Sequence, residues 1–146
     1  MPRRAWSWTL VTVQFACLLA LAATGPWIAA APGLLALEAA GGFLGVWAVL
    51  TMRIDRVHVA PDVRPGAELV SHGPYRWIRH PMYLSLLLVG LALAWNAPSP
   101  ARWGVLALLA INQVVKLTYE ETLLVAALPG YRDYQTRTKR LVPFLF

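Results

Sequence analysis

The stretch Gly73–Trp95, GPYRWIRHPMYLSLLLVGLALAW, decides how the chain is read. Its first half is dense in Arg, His, Tyr and Pro, while Met82–Trp95 is apolar enough to lie in lipid. Pro81 sits at the junction and suits the first position of a helix, where its missing N–H costs no hydrogen bond. Arg79 and His80 then fall at the amino end of that helix, where free N–H groups and the macrodipole favour an anion. Two roles are open for them. Arg79 anchors at the headgroups with His80 as a cap, or both face a ligand at the helix mouth.

Three further apolar runs surround this stretch. A hydrocarbon core of about 30 Å takes about 20 helical residues. Trp6 to Ala30 meets that, with a Gly25-Pro26 break near its far end, and Leu34–Met52 meets it again after the Pro32-Gly33 turn. Met82–Trp95 is short for a span and is expected to pair with Trp103–Leu128 as a hairpin, turning at NAPSPAR, Asn96–Arg102. The expected fold is an all-α polytopic membrane protein with about four transmembrane helices, the last two forming the hairpin, plus a cytoplasmic loop and C-terminal segment. At 146 residues this is a single domain, 1–146. Its composition, 58% hydrophobic and 14% charged with a mean hydropathy of +0.54, excludes an ordinary soluble domain.

The net charge of +6 is placed as a membrane protein places it, flanking apolar runs, which argues against a nucleic-acid partner. Arg3 and Arg4 precede the first run; Arg53, Arg56, Arg64, Arg76 and Arg79 lie between the second and third; Arg132, Arg137, Lys139 and Arg140 follow the fourth. Only Arg102 falls in a turn on the other side. Both termini and the middle loop are therefore expected in the cytoplasm, with membrane lipids as neighbours. Arg-, Ala- and Pro-rich composition points to a GC-rich bacterial genome and hence the inner membrane. The start, MPRRAWSWTLVTVQFACLLALAATG, mimics a signal peptide, yet the apolar character continues through Trp27 to Ala31, so an uncleaved first span is expected. A lipoprotein would use Cys17, but Gln14 is a poor residue three places before it. With one cysteine the chain forms no intramolecular disulfide and no metal site from Cys spacing.

The fourth run carries a separate polar signal. Asn112, Lys116 and Glu120 recur at spacing four and stack on one face, bordered by Gln113, amid Leu, Val and Ala. Ionisable groups at membrane depth are costly and face a polar cavity or one another. A Lys116–Glu120 ion pair that holds the helix is the plainer alternative to a site. Glu38, within the second run, either binds a cation or hydrogen-bonds near the outer interface. Gly41, Gly42 and Gly45 lie in an apolar helix with no preceding strand, so they are no phosphate loop; Gly41 and Gly45 read as a small-residue packing seam. Between the second and third runs, Pro61, Pro65 and Pro74 prevent a continuous helix.

The segments LVSHGPYRWIRHPMY, KLTYEETLL and GYRDYQTRTKRLVPF together resemble the catalytic half of integral-membrane methyltransferases, the isoprenylcysteine carboxyl methyltransferases and their phospholipid-methyltransferase relatives. The likeness runs from about Ala67 to Pro143. It implies residues 1–52 as two N-terminal membrane helices and 53–146 as a catalytic half with a cofactor-binding loop. By position it makes Leu69, Val70, Tyr75, His80, Pro81, Met82 and Tyr83 binders of S-adenosyl-L-methionine, with Glu120 facing the cofactor's methionine end. Lys116 stands where the family carries an arginine that contacts the substrate. Lysine lacks arginine's planar bidentate fork. Ser85 replaces a family glycine, and the segment between Glu121 and Tyr131 is one residue shorter than the family's spacing.

The resemblance implies methyl transfer from S-adenosylmethionine to a lipophilic acceptor at the membrane–cytoplasm interface. That acceptor, an isoprenylcysteine-type carboxylate, a lipid amine or a hydrophobic thiol, enters from the bilayer. Glu120 and Lys116 are the expected catalytic residues, Lys116 also contacting substrate, and no metal is expected. A small multidrug-type transporter using Glu38 is the rival from another class; it leaves the basic loop and the Arg-His-Pro run unexplained. A non-catalytic membrane subunit of the same fold is the third reading.

Overall fold

The computed structural model describes residues 3–52 and 68–143. Residues 53–67, with Arg53, Arg56, Pro61, Arg64 and Pro65 of the middle loop, lie outside the described residues. The described chain is all-helical: α1 (Arg3–Ala23), α2 (Pro32–Met52), α3 (Pro81–Asn96), α4 (Pro100–Ala127) and the short α5 (Tyr131–Arg137), with a single 3-10 turn at Gly73–Arg76. An isolated parallel bridge, Ile78 to Lys139, is the one piece of extended pairing among the described residues. α1, over Ala5–Ala23, and α2 are long and apolar enough to cross a membrane; α3 is apolar but shorter.

Helix boundaries follow local chemistry. Pro81 opens α3, as its position in the sequence demands. α4 starts at Pro100, earlier than the expected Trp103, because Ser99 caps it by accepting the Arg102 N–H at 3.2 Å. α1 ends at Ala23 rather than Ala30. The Gly25-Pro26 pair stops it, and Trp27 Nε1 donates back to the Ala22 carbonyl at 2.7 Å, satisfying one of the helix's orphan acceptors. Polar side chains then hold the irregular connection to α2. Glu38 accepts the Ala29 N–H at 2.9 Å, and Asn96 accepts the Ala30 N–H at 2.9 Å.

Arg102, counted in the sequence as a lone charge in a turn, is buried. Its guanidinium donates to the Leu21 carbonyl at 2.8 Å, the Thr24 hydroxyl at 2.7 Å and the Leu93 carbonyl at 2.6 Å. The carbonyls belong to the last turns of α1 and α3, where unsatisfied acceptors and the dipole favour a cation. One side chain thereby ties three helices together at one end. Gly25 leaves it room, since a Cβ there would sit 2.6 Å from Nη1.

α2 packs on α3, α1 on α4, and α3 on α4. The α2–α3 contact runs along the glycine seam. A Cβ on Gly41 would lie 3.0 Å from Leu88 Cβ and 3.1 Å from the Val89 backbone nitrogen, and one on Gly45 would lie 2.5 Å from Ser85 Oγ. α3 and α4 run antiparallel, with Gly90 against Leu106 and Leu109 near one end and Tyr83 bonded to Glu120 near the other. α1 turns Ser7, Leu10, Gln14, Cys17 and Leu21 inward, a stripe at alternating spacings of three and four. Large apolar side chains, among them Trp8, Phe15, Leu19, Phe43, Val46, Leu50 and Ile111, remain on the outside. Such a surface suits lipid better than water.

The seam makes a directional prediction. Gly41→Leu forces α2 and α3 apart and is expected to destabilise by about 1–3 kcal/mol. Gly42→Leu, one position away with nothing within 4 Å, is expected to leave the thermal midpoint in detergent unchanged.

Candidate functional site

The segment after α5 lies alongside the entry to α3. Lys139 N–H donates to the Trp77 carbonyl at 3.0 Å, Arg79 N–H to Lys139 at 2.8 Å and His80 N–H to Arg140 at 3.0 Å. Below this strap, Tyr134 donates its hydroxyl to the Tyr75 carbonyl at 2.7 Å. Gly130, at φ 81°, makes the left-handed turn from α4 into α5. Gly73, at φ 58°, lets the loop close onto Thr51 of α2, where a Cβ would come within 2.6 Å. Trp77 also packs edge-on against Trp47, centroids 6.0 Å apart. Residues distant in sequence are thus brought over the C-terminal half of α4.

Glu121 sits at the centre of this assembly and is buried. Arg79 Nε donates to its Oε1 at 2.6 Å, and His80 Nε2 stands 3.2 Å from the same oxygen. Arg140 Nε donates to Oε2 at 3.1 Å and Gln135 Nε2 at 3.4 Å. Arg79 Nη1 goes on to the Gln135 carbonyl at 3.2 Å and to the carbonyl and hydroxyl of Thr138. Because a carboxylate only accepts, His80 presents Nε2–H to Glu121 and turns Nδ1 toward Glu120, whose Oε2 lies 3.9 Å away.

Glu120 is placed differently. It accepts the Tyr83 hydroxyl at 2.5 Å, and its side chain keeps 28% exposure against 5% for Glu121. The His80 ring stacks on Tyr83, with planes within 1° and centroids 5.3 Å apart. Lys116 Nζ lies 5.1 Å from the Tyr83 ring centroid and donates to Gln14 Oε1 of α1 at 2.8 Å. Asn112 Nδ2 donates to the Leu10 carbonyl at 3.1 Å. The polar stripe of α4 is real but divided, with Asn112 and Lys116 turned to α1 and Glu120 to α3.

His80, Tyr83, Glu120 and Lys116 are therefore brought together by direct contacts. Tyr75 lies beside them: its buried hydroxyl has no hydrogen-bond partner among the described residues. Burial first, and the Glu120 charge second, raise the Tyr75 phenol above its ordinary value. Burial likewise raises Tyr131 and Tyr134, so all three phenols stay neutral at physiological pH. Leu69 and Val70 are half-buried in the irregular stretch before the 3-10 turn, and Pro81 and Met82 form the first turn of α3. No hydrogen bond joins these four side chains to Glu120. Among the described residues no group of three His, Cys, Asp or Glu side chains could hold a metal ion.

Two contributors escaped the sequence reading: Glu121 as an anchor, and Gln14 as the partner of Lys116. The adjacent Glu pair was visible, but which member would be enclosed depends on Arg79 and on the strap. Removing one side of a buried ion pair leaves the other uncompensated, at a cost of about 3–5 kcal/mol. Glu121→Gln is expected to lose that much stability and to expose the strap to proteolysis. Glu120→Gln, which alters a hydrogen bond at a partly open group, is expected to melt within a few degrees of the parent. Thermal denaturation of the two variants in the same detergent checks this.

Residues 28–129 match the phospholipid methyltransferase family. The match contains Tyr75, His80, Tyr83, Lys116, Glu120 and Glu121, and leaves α1 and the strap outside it. The cobalt-zinc-cadmium resistance protein CzcN of Cupriavidus metallidurans is 33% identical over 105 residues, covering 70% of this chain and 49% of that protein. The chain thus spans about half the length of that curated relative. No solved structure matches. With more than half of its residues matched, and with two helices fit to cross a bilayer, the chain is a membrane protein belonging to the phospholipid methyltransferase family.

Proposed function

We propose that the protein transfers a methyl group from S-adenosylmethionine to a lipophilic acceptor at the membrane–cytoplasm interface. The observation that carries this is the contrast between the two carboxylates. Glu121 is filled by cationic and amide donors, whereas Glu120 holds the Tyr83 hydroxyl and keeps an open side. An open carboxylate beside an orphaned Tyr75 hydroxyl and a stacked His80–Tyr83 pair fits a zwitterion that carries an ammonium, a carboxylate and a further positive centre.

S-adenosylmethionine supplies a methyl group activated on a sulfonium sulfur. In this reading Glu120 receives the ligand's ammonium in a charge-assisted hydrogen bond. Tyr75 offers its unpartnered hydroxyl, and the aromatic rings of Tyr83 and His80 favour positive charge nearby by up to about 2 kcal/mol when water is excluded. Leu69, Val70, Pro81 and Met82 line the apolar surroundings. Lys116 positions the acceptor. Holding acceptor and donor in line can contribute about 7–11 kcal/mol to lowering the barrier, without covalent help from the protein.

The surrounding architecture follows from the same reading. α3 and α4 form a hairpin that joins α1 and α2 in the bilayer, giving four membrane helices with both termini and the site on the cytoplasmic side of a bacterial inner membrane. Residues 1–52 anchor the domain and 53–146 carry the chemistry. A transporter reading leans on Glu38, whose Oε2 accepts the Ala29 N–H at 2.9 Å and so helps hold the connection between α1 and α2.

Equilibrium dialysis with labelled S-adenosylmethionine tests the central part. The parent protein is expected to bind it, and Glu120→Gln to bind at least tenfold more weakly while keeping its fold. Full affinity in Glu120→Gln contradicts the assignment. In a methylation assay with lipid extract, Lys116→Ala is expected to raise the acceptor KM with the cofactor Kd unaltered; an unaltered KM removes Lys116 from the acceptor's path.

A further inference from the structure

The 3-10 turn and the strap meet at one edge of the bundle, and that edge is basic. Arg76 closes the turn and Arg137 closes α5, and each stands two residues before a member of the bridged pair Ile78 and Lys139. The bridge therefore gathers Arg76, Arg137 and Lys139, all exposed, along one seam. Arg79 and Arg140, on the same two segments, are turned inward onto Glu121. The three outer cations form no ion pair among the described residues. Arg137 Nε donates to the Asp133 carbonyl at 3.2 Å, an oxygen that orients the group without cancelling its charge.

The level of this edge is set by α2. Gly73 closes on Thr51, the penultimate residue of that helix, and Trp77 packs on Trp47, five residues before its end. At 1.5 Å per residue Trp47 lies about 7.5 Å inside the end of a helix long enough to cross a bilayer. Phe43, 69% exposed on the same helix, stands against Trp47 in turn. Phe43, Trp47 and Trp77 thus make a continuous run of rings, with centroids 6.0 Å apart at each step, from the outer surface of α2 up to Arg76. Tryptophan beside cations at a helix end is the chemistry of the headgroup layer.

We propose that Arg76, Arg137 and Lys139, around Trp77, form a binding surface for the phosphate of an acidic phospholipid, and that a lipid held there fastens the strap to the entry of α3. The occupant follows from charge and position. Unpaired cations sit at the headgroup level, and an exposed aromatic and apolar track of Phe43, Val46 and Leu50 runs below them, where an acyl chain can lie. Guanidinium groups take phosphate oxygens in pairs, and a lysine adds a point charge. A zwitterionic lipid offers the same phosphate but brings its own ammonium, which these cations repel. Lys139 N–H donates to the Trp77 carbonyl and Arg79 N–H to Lys139, so a phosphate shared by Arg76 and Lys139 grips both sides of this pairing. It thereby keeps Arg140 on Glu121. The inference needs the membrane but not the methyl-transfer reading.

The test uses the full chain in phosphatidylcholine bilayers, with spin-labelled phosphatidylglycerol and spin-labelled phosphatidylcholine as probes of lipid association. Hydrogen exchange at the amides of Arg79, His80 and Lys139 reports on the strap. Phosphatidylglycerol is expected to associate at least threefold more strongly than phosphatidylcholine and to slow exchange at those amides at least threefold. The triple variant Arg76→Gln, Arg137→Gln, Lys139→Gln is expected to lose both effects. Should it not fold, Arg76→Glu alone is read in its place and is expected to halve the preference or more. Arg132→Gln serves as the control, because Arg132 begins α5, five residues from Arg137 and about 140° away around the helix; it is expected to keep the preference. Equal association of the two lipids by the parent overturns the proposal, as does a preference that survives in the triple variant. Equal slowing by glycerol phosphate in pure phosphatidylcholine assigns the surface to a free phosphate instead. Slowing by polyglutamate but not by phosphatidylglycerol assigns it to an acidic protein, and either result overturns the lipid assignment.

Discussion

A carboxylate withdrawn from water is tolerable only where donors replace its hydration, and Glu121 of α4 has them from widely separated parts of the chain. Arg79 and His80 come from the entry to α3, Gln135 from α5 and Arg140 from the strap behind it. Each donor fixes a segment that has little regular structure of its own. The 3-10 turn, the bridge between Ile78 and Lys139 and the short α5 could not be held by helix propensity, since brief helices in isolation are marginal. Their placement depends on this buried charge and on the backbone pairing beside it.

Neighbouring residues on a helix point about 100° apart, and that angle separates two carboxylates of identical chemistry into different environments. Glu121 faces the strap and is saturated. Glu120 faces Tyr83 and the mouth of α3 and retains an open side. His80 touches both, its Nε2 committed to Glu121 and its Nδ1 turned toward Glu120. In the proposed function the anchor and the group that would receive the ligand are consecutive residues, and the anchor orients the imidazole that borders its neighbour. At the other end of the helices Arg102 plays a corresponding part through neutral carbonyls, tying the ends of α1 and α3 to the start of α4.

Much of this was legible in the residues. Pro81 marked the start of α3, the Gly41–Gly45 spacing marked the α2–α3 seam, and the period of Asn112, Lys116 and Glu120 marked one face of α4. These are local signals, carried by backbone chemistry or helical periodicity. What was not legible depends on distance in sequence. Nothing near Arg102 announces that carbonyls of Leu21 and Leu93 will surround it, so it looked like a loop charge. Nothing in KLTYEETLL says that the second glutamate will be enclosed, because its partners lie at 79, 80, 135 and 140. Lys116 was noticed, but its tie to Gln14 of α1 required knowing that α1 packs on α4. The length of α1 was overread because hydropathy continues past Gly25-Pro26, where the backbone can no longer be helical.

The central claim is that Glu121 holds the framework so that Glu120 is left to receive a cationic group beside His80 and Tyr83. The most direct measurement is an experimental structure of the protein in lipid with S-adenosylhomocysteine bound. The account predicts the ligand's amino group within hydrogen-bonding distance of the Glu120 carboxylate, with Glu121 still bound by Arg79 and Arg140. A ligand amino group placed on Glu121, or Glu120 turned away toward the acyl chains, would contradict it.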